Sequence, residues 1–369
     1  MSEKRLWDTF SCFTSVYSPS LGERQSSSLL LNKLKELGTE CFEDGAGSEL
    51  GGNCGNLYAF LPGKLNKPPL LFSAHMDTVE PAKGKRGILH EDGLITSGGD
   101  TILGADDAAG ISVILEALTR LDEEGKPRRD IELLFPVAEE IYGLGSRIAD
   151  YSRIISKEAY VLDLSGAIGE AANAAPTIMS FVQVIRGKSS HAGFAPNEGA
   201  HAIRACAKAI AQMPAGQLKP GLTCNIGVVS GGTASNIIPD LCEAKGEIRS
   251  LKHEDALALA EKIEALFAEE AIAAGCTAEF FKTCPIKAYE TRMESPVALR
   301  FERACKAVGA PCHIHSTMGG SDNNNFALHG IEGLVIACSM HEVHSAREYS
   351  RLNELELCVR LVMALMSEE

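Results

Sequence analysis

The sequence lacks several features that would assign it to a class at once. Its twelve cysteines are scattered singly and form no Cys-x-x-Cys pair, which argues against a disulfide framework. No apolar run approaches the roughly 18 residues of a membrane span, and the first residues contain no apolar core of signal-peptide length. No basic stripe stands out, and the formal net charge is -14, which argues against a nucleic-acid partner. We therefore expect a cytoplasmic protein with reduced thiols and no membrane partner.

The totals are those of a soluble globular protein. The chain has 369 residues, of which 45% are hydrophobic and 23% charged. This length predicts about two domains, each able to bury a core. We find no internal repeat and no low-complexity segment.

Most of the chain alternates between apolar strands and amphipathic helices. Strands are predicted at 56–61, 70–74, 130–138, 159–164 and 334–340, and helices at 3–17, 24–37, 108–121, 296–308 and 352–366. Strands that are apolar throughout are typical of a sheet buried on both faces. The pattern predicts an α/β fold, a mainly parallel sheet with helices on both faces.

A different pattern interrupts this alternation. The stretches 177–187, 198–213, 223–229, 241–249, 254–273 and 277–282 read in order as β-α-β-β-α-β. That order is typical of the ferredoxin-like split motif. We therefore predict a discontinuous catalytic metal-binding domain, 1–173 and 286–369, with an inserted ferredoxin-like α+β domain at 174–285.

The stretch from Leu70 to Thr78 organises the prediction of function. Five residues that could pack in a sheet lead directly into His75 and Asp77. In an extended chain these two side chains point to the same side. A histidine held by a nearby carboxylate is the arrangement of a metal ligand. Taken alone, the pair is better explained as a strand that ends in a wet loop.

Other segments end in the same way. Glu139 and Glu140 follow one predicted strand, Asp163 ends another, and His344 follows a third, while Asp106 opens a helix. Singly, each has a simple alternative, such as a helix cap or an exposed strand end. Because ligands of open α/β sheets bind at the carboxyl ends of the strands, the set jointly predicts a metal site. Imidazole and carboxylate ligands favour Zn²⁺, with Mn²⁺ or Co²⁺ as alternatives.

These motifs resemble a known family. Together they look like the dinuclear zinc peptidases of the peptidase T, carboxypeptidase G and aminoacylase group, and the likeness covers nearly the whole chain. It is greatest to the peptidase T-like branch. The segments that carry it are His75-Met76-Asp77-Thr78, Thr101 to Asp107, Ala138-Glu139-Glu140, Asp163, Ser189 to Gly193 and Val343-His344-Ser345.

The resemblance implies a role for each residue of the rim. Asp106 would bridge two metal ions and be followed by a cis peptide to Asp107. Glu139 would be the general base and acid, which activates a metal-bridged water and then protonates the leaving amine. Asp77 would orient His75 without itself binding a metal ion. The ligands that complete the two sites would be His75 and Asp163 for one ion, and Glu140 and His344 for the other. His341 is the alternative to His344.

The inserted segment also carries matching residues. His191 resembles the family's lid histidine, which stabilises the tetrahedral oxyanion, in cis or from a partner subunit. Asn236, Arg249, Gly320 and Ser321 resemble substrate-positioning residues, and a guanidinium suits a peptide's terminal carboxylate. The glycine-rich stretch at Gly320 is equally well explained as an ordinary turn.

The resemblance implies a metal-dependent hydrolase of short peptides. We expect a tripeptidase-like aminopeptidase that forms a homodimer through the inserted lid domain. Two alternatives stay open: an N-acyl-amino-acid deacylase or carboxypeptidase with the same metal core, and an inactive peptide-binding protein.

Overall fold

The computed structural model of the protein describes residues 2–367. Its α-helices are α1 Ser2–Thr14, α2 Arg24–Glu36, α3 Ala46–Leu50, α4 Ala105–Glu123, α5 Leu144–Arg147, α6 Ala202–Gln212, α7 His253–Ala273, α8 Pro296–Val308, α9 Asp322–Leu328 and α10 Leu352–Ser367. Short 3-10 helices span Tyr151–Arg153 and Pro196–Glu198.

The strands range from two to ten residues in length. They are β1 Cys41–Glu43, β2 Leu57–Leu61, β3 Leu70–Ser73, β4 Gly87–Leu89, β5 Leu94–Ser97, β6 Ile131–Phe135, β7 Glu158–Ser165, β8 Glu170–Ala175, β9 Thr177–Arg186, β10 Ser190–His191, β11 Gly216–Lys219, β12 Leu222–Gly231, β13 Ile237–Ile238, β14 Leu241–Ser250, β15 Thr277–Ile286, β16 Tyr289–Glu290, β17 His313–Ser316, β18 Glu332–Met340 and β19 Tyr349–Arg351.

The chain folds into two compact units. The first contains the chain through Ala174, the segment Glu290–Thr317 and the chain from Ser321 onward, and the second contains Ala175–Tyr289 with Met318–Gly320. The catalytic and lid roles that the sequence suggests for these segments stay predictions.

The first unit is built on a mixed sheet with the strand order β1-β2-β6-β3-β7-β18-β8-β16. Its central neighbours β6, β3, β7 and β18 run parallel. Strands β3 and β6 are buried along their whole length. The sheet can therefore be covered by helices on both faces.

Two apolar cores cover that sheet. The larger contains residues of α1, α4, α8 and α10, among them Phe10, Leu118 and Phe301. The smaller lies on the other face, where Phe326 of α9 packs with Leu71 and Val335.

The second unit has an antiparallel sheet in the order β11-β12-β14-β9-β15. Helices α6 and α7 pack on it, and the core between them includes Phe181, Ile248 and Phe267. Apart from the short strands β10, β11 and β13, the order of strands and helices is that of the ferredoxin-like split motif. The predicted fold class is thus confirmed.

Some short elements were not predicted. The segment before Gly99 contains β4 and β5, which pair with each other, and β5 also pairs with β19, so the three strands form a separate small sheet. Strands of three or four residues show too little of the two-residue period to be recognised. Within the described part of the chain, no helix is both long and apolar enough to cross a membrane.

Candidate metal centre

The central strands of the first unit deliver the predicted ligands to one edge of the sheet. His75 follows the end of β3 by two residues, Glu140 lies beyond the end of β6, and Asp163 is near the end of β7. His344 lies four residues beyond β18. Since parallel neighbours end at the same edge, side chains from distant parts of the sequence meet there.

Asp106 reaches the same place from the start of α4. Gly104, the residue before the helix, is left-handed with φ 74°, and Asp106 and Asp107 keep non-helical backbone angles. The peptide bond between the two aspartates is cis, as the family resemblance implied. This irregular first turn carries the Asp106 carboxylate.

The carboxylate of Asp106 is shared between two histidines. Its Oδ1 lies 2.9 Å from His75 Nε2, and its Oδ2 lies 3.2 Å from His344 Nε2. On the first side, Asp163 Oδ1 is 3.9 Å from His75 Nε2. On the second side, Glu140 Oε2 is 3.0 Å from His344 Nε2. Among residues 2–367, two groups have the spacing of metal ligands: His75-Asp106-Asp163 and Asp106-Glu140-His344.

The electrostatics of the centre favour added positive charge. Burial and the neighbouring Asp106 carboxylate raise the pKa of Asp163 well above its usual range, and burial also raises that of Glu140. Although burial opposes its ionisation, hydrogen bonds from His344 and His75 lower the pKa of Asp106. Hydrogen bonds to Asp106 and Glu140 raise the pKa of His344 to about 10. A centre of three carboxylates and two imidazoles therefore fits two divalent cations.

Asp77 holds two parts of the centre together. Its carboxylate accepts backbone hydrogen bonds from Glu139 at 2.9 Å and Glu140 at 3.1 Å, and one from Ser20 Oγ at 2.6 Å. His75 Nδ1 lies 2.9 Å from the Asp77 backbone carbonyl and 3.4 Å from its carboxylate. Asp77 therefore touches His75 chiefly through its main chain, and its carboxylate fixes the glutamate pair.

Glu139 belongs to neither ligand group. Its backbone N–H is held by Asp77, and Ala138 before it has a left-handed φ of 54°. Burial and then the Asp163 charge raise the pKa of the Glu139 carboxyl well above its usual range. A carboxyl of this kind can carry a proton near neutral pH.

Three further buried carboxylates support the ligand segments, a role that the sequence did not indicate for any of them. Asp107 Oδ2 accepts the backbone N–H of His75 at 3.1 Å. Glu23 Oε1 accepts that of Ala138 at 2.9 Å. Glu348 Oε1 accepts that of Asp106 at 3.1 Å. Only the Asp-Asp pair stands out in the sequence, because Glu23 and Glu348 lie in stretches without a recognisable pattern.

His341, the alternative ligand, is engaged elsewhere. Its Nε2 is 2.6 Å from Glu354 Oε2, and its ring stacks on Tyr349 with centroids 4.7 Å apart. Of the two histidines in this segment, it is His344 that lies beside Asp106 and Glu140.

His191 and Asn236 are neighbours in the second unit. The two-residue strand β10 pairs with β13, and Ala192 donates a backbone hydrogen bond to the Asn236 carbonyl at 2.9 Å. His191 Nδ1 accepts the backbone N–H groups of Gly193 and Phe194, each at 3.1 Å. Its Nε2 therefore carries the proton, and the exposed ring presents a hydrogen-bond donor.

Arg249 lies on β14 with its guanidinium already engaged. Nε and Nη2 contact the two carboxylate oxygens of Glu247, at 2.6 and 3.4 Å, and Nη1 donates to the Met318 carbonyl at 2.8 Å. Gly320 packs where a Cβ would come within 2.7 Å of Ile286 Cδ1. Ser321, in the first unit, caps α9 by accepting the Asn323 N–H and forms a capping box with Asn324.

Comparison with known proteins relates this geometry to a family. Residues 56–208 match the family model described as Peptidase family M28, and residues 173–274 match the one described as Peptidase dimerisation domain. The chain is 33% identical over 368 residues to the uncharacterised protein YqjE of Bacillus subtilis, covering 100% of this chain and 99% of YqjE.

Two solved structures are similar over almost the whole chain. The aminopeptidase PepT of Bacillus cereus superposes with a TM-score of 0.94 and 36% identity, covering 99% of this chain and 98% of that one. A tripeptidase of Staphylococcus aureus has a TM-score of 0.96 and 29% identity, with the same coverage.

Two ligand groups share one aspartate, on a fold that superposes closely on solved peptidases, and the dimerisation domain matched at 173–274 is that of the M20 peptidases. The chain is therefore a dinuclear metallopeptidase of the M20 family. The protein is therefore a metal-dependent hydrolase of the peptide bond, as predicted. Within the family, the chain belongs to the peptidase T-like branch.

Proposed function

We propose that this enzyme is an aminopeptidase that releases the first residue of short peptides, tripeptides above all. One observation carries the proposal: Asp106 offers one carboxylate oxygen to each of two ligand groups, at 2.9 Å from His75 and 3.2 Å from His344. A carboxylate shared in this way is the arrangement of two-metal hydrolases. The names of the relatives, aminopeptidase PepT and tripeptidase, support the choice of substrate.

We assign the centre to two Zn²⁺ ions, with Mn²⁺ or Co²⁺ as alternatives. His75 and Asp163 would hold one ion, Glu140 and His344 the other, and Asp106 both. Mixed imidazole and carboxylate donors suit such borderline ions. When bound, the two ions would supply Lewis acidity, which lowers the pKa of water and polarises the scissile carbonyl.

Glu139 would move the proton in this reaction. Its buried carboxyl has a raised pKa, so it can accept a proton from the attacking water and later give it to the leaving amine. Asp77 would hold the Glu139 backbone, and thus the direction of that carboxyl, through the 2.9 Å hydrogen bond.

The second unit would act as the lid over the substrate. His191 presents an Nε2–H donor, which is what an oxyanion requires. It would serve either its own subunit or, in a dimer, the partner subunit. Asn236, Gly320 and Ser321 would position the peptide. For Arg249 to bind a terminal carboxylate, the substrate would have to replace Glu247 on the guanidinium.

We also propose a homodimer formed through the second unit. The model described as a dimerisation domain matches 173–274, and β15 is an edge strand of ten residues. Its Phe281 is 55% exposed, and long exposed edges with apolar residues favour pairing. A cytoplasmic location is proposed as well, since the twelve cysteines are all free thiols.

A substrate panel tests the proposed function. The metal-loaded enzyme should release the first residue from free tripeptides and leave N-acetylated copies of the same peptides intact. Hydrolysis of N-acetyl amino acids alone would favour the deacylase, and release of the last residue would favour the carboxypeptidase. The Glu139→Gln variant is the matched control. If the wild type binds peptides but is as inert as this variant, the protein is a peptide-binding relative without activity.

A further inference from the structure

Glu348 is the buried carboxylate that joins two of the three ligand-bearing segments of the second metal group, those of Asp106 and His344. Its side chain is almost fully buried, with 1% of the residue exposed. Oε2 accepts the backbone N–H of Gly104 at 2.7 Å, and Oε1 accepts that of Asp106 at 3.1 Å. One carboxylate thus accepts hydrogen bonds from the backbone on both sides of Ala105.

These contacts satisfy the backbone of the irregular turn at the start of α4, whereas Asp107 caps the regular part of the helix by accepting the Gly110 N–H at 2.9 Å. Gly104 stands at the N-cap of α4 and offers no side-chain acceptor. The first N–H groups of a helix have no partner within the helix, and a negative charge beside them is favourable. Glu348 therefore holds the irregular first turn, with its non-helical Asp106, in one place.

Glu348 is also fixed relative to His344. The two residues are four apart in a short loop, whose ends are joined by the reciprocal backbone hydrogen bonds of His341 and Tyr349, at 3.1 and 3.0 Å. Within the loop, Glu348 N–H donates to the Ser345 carbonyl at 3.1 Å. The position of Glu348 therefore determines where the His344 loop lies against Asp106.

A buried cation lies close to the same turn. Lys85 is 2% exposed, and its Nζ donates to the Phe13 carbonyl at 3.0 Å. A Cβ on Gly104 would come within 2.8 Å of that Nζ. The Lys85 side chain therefore packs on the face of Gly104, so the turn is confined by Lys85 as well as by Glu348.

We propose that Glu348 is a positioning residue of the metal centre, which sets the metal affinity by fixing Asp106 against His344. The inference rests on the proposed role of these two residues as metal ligands. Replacing a group that hydrogen-bonds to a metal-ligand segment and orients it typically weakens metal binding by about 10–100-fold.

The chain offers a matched control in Glu132. This glutamate is also buried, and its carboxylate accepts two backbone N–H groups, from Ile155 at 3.1 Å and Ser156 at 2.7 Å. It touches no predicted ligand side chain. Glu348→Gln and Glu132→Gln should therefore cost comparable stability, while only the first should alter the metal centre.

The test is a titration of the full-length, metal-free proteins with Zn²⁺ against a competing chelator, together with Co²⁺ absorption spectra. We expect wild type and Glu132→Gln to bind two ions with the same affinity. Glu348→Gln should bind at least one ion about 10–100-fold more weakly and give a changed Co²⁺ spectrum. Urea unfolding of the metal-free proteins verifies that each variant is folded before titration.

The outcomes separate this inference from the proposed function. If the wild type binds two ions and Glu348→Gln matches it in affinity and spectrum, Glu348 is only structural and the inference is wrong. If the wild type binds fewer than two ions, the dinuclear assignment itself fails, and the inference fails with it.

Discussion

Replacing Asp77 by asparagine should damage the metal centre without changing the shape of the side chain. The carboxylate accepts three hydrogen bonds, from Glu139 N at 2.9 Å, Glu140 N at 3.1 Å and Ser20 Oγ at 2.6 Å. Asparagine keeps one acceptor oxygen. If that oxygen faces Ser20 and Glu140, the amide NH₂ faces the Glu139 N–H, and two donors oppose each other in a fully buried site.

The magnitude follows from that geometry. A buried donor left without an acceptor costs about 1–3 kcal/mol, so the unfolding free energy of the metal-free protein should fall by about that amount. Burial opposes ionisation of Asp77, but hydrogen bonds from His75 and Ser20 outweigh it and lower its pKa. The variant thus also loses a negative charge behind His75, which should weaken metal binding by about 10–100-fold.

Two measurements check this prediction. Urea denaturation of the metal-free proteins gives the stability change, and Zn²⁺ titration against a chelator gives the affinity change. Ser20→Ala is the graded control, because it removes one donor and leaves the carboxylate in place. It should cost about 1 kcal/mol and leave the metal affinity near that of the wild type. An asparagine variant with wild-type stability and metal affinity would refute the reasoning.

Three further predictions address other parts of the molecule. Glu139→Gln should bind both metal ions normally but lower kcat by about 10²–10⁴-fold, and retained activity in steady-state assays would remove its role as the base. Burial lowers the pKa of Lys85 from 10.5 to about 8. Between pH 8 and 10.5 the unfolded chain therefore holds a proton on Lys85 that the folded protein lacks, and the free energy of unfolding should rise with pH. This gain of about 3 kcal/mol between pH 8 and 10.5 should be absent from Lys85→Met. Parallel plots of urea-derived unfolding free energy against pH for the two proteins would contradict the prediction. Sedimentation should show a dimer at micromolar concentration. If His191 acts across the interface, a mixed dimer of one His191→Ala and one Glu139→Gln subunit keeps one complete site and should be active. Inactive mixed dimers would argue against that role.

The meeting of the predicted ligands at one edge of the sheet was predictable, because most of them carry a signal in the sequence. His75 follows an apolar strand, and His344 follows another, so the rule that ligands lie at strand ends applied to both directly. Asp106 needed more, since a single aspartate at a helix start is usually a cap. Its shared position between His75 and His344 arises from the tertiary fold, which no local pattern contains.

The groups behind the ligands were not predictable for a related reason. Glu348 acts on Asp106 across 242 positions of the chain, and Glu23 acts on Ala138 across 115. Such contacts depend on where loops meet after folding. For Arg249, the resemblance implied a guanidinium that binds a peptide's terminal carboxylate, whereas in the structure the neighbouring Glu247 on the same strand contacts it. That pair is two residues apart, on one face of β14, so the strand period could have revealed it.

Metal stoichiometry tests the central claim most directly. Elemental analysis of the purified protein, reconstituted with Zn²⁺ and freed of excess metal, should give two ions per chain. Asp163→Ala and His344→Ala should each lose one ion, and Asp106→Ala should lose both or nearly both. One ion per chain in the wild type, or a wild-type count in Asp106→Ala, would contradict a centre in which one aspartate serves two metals.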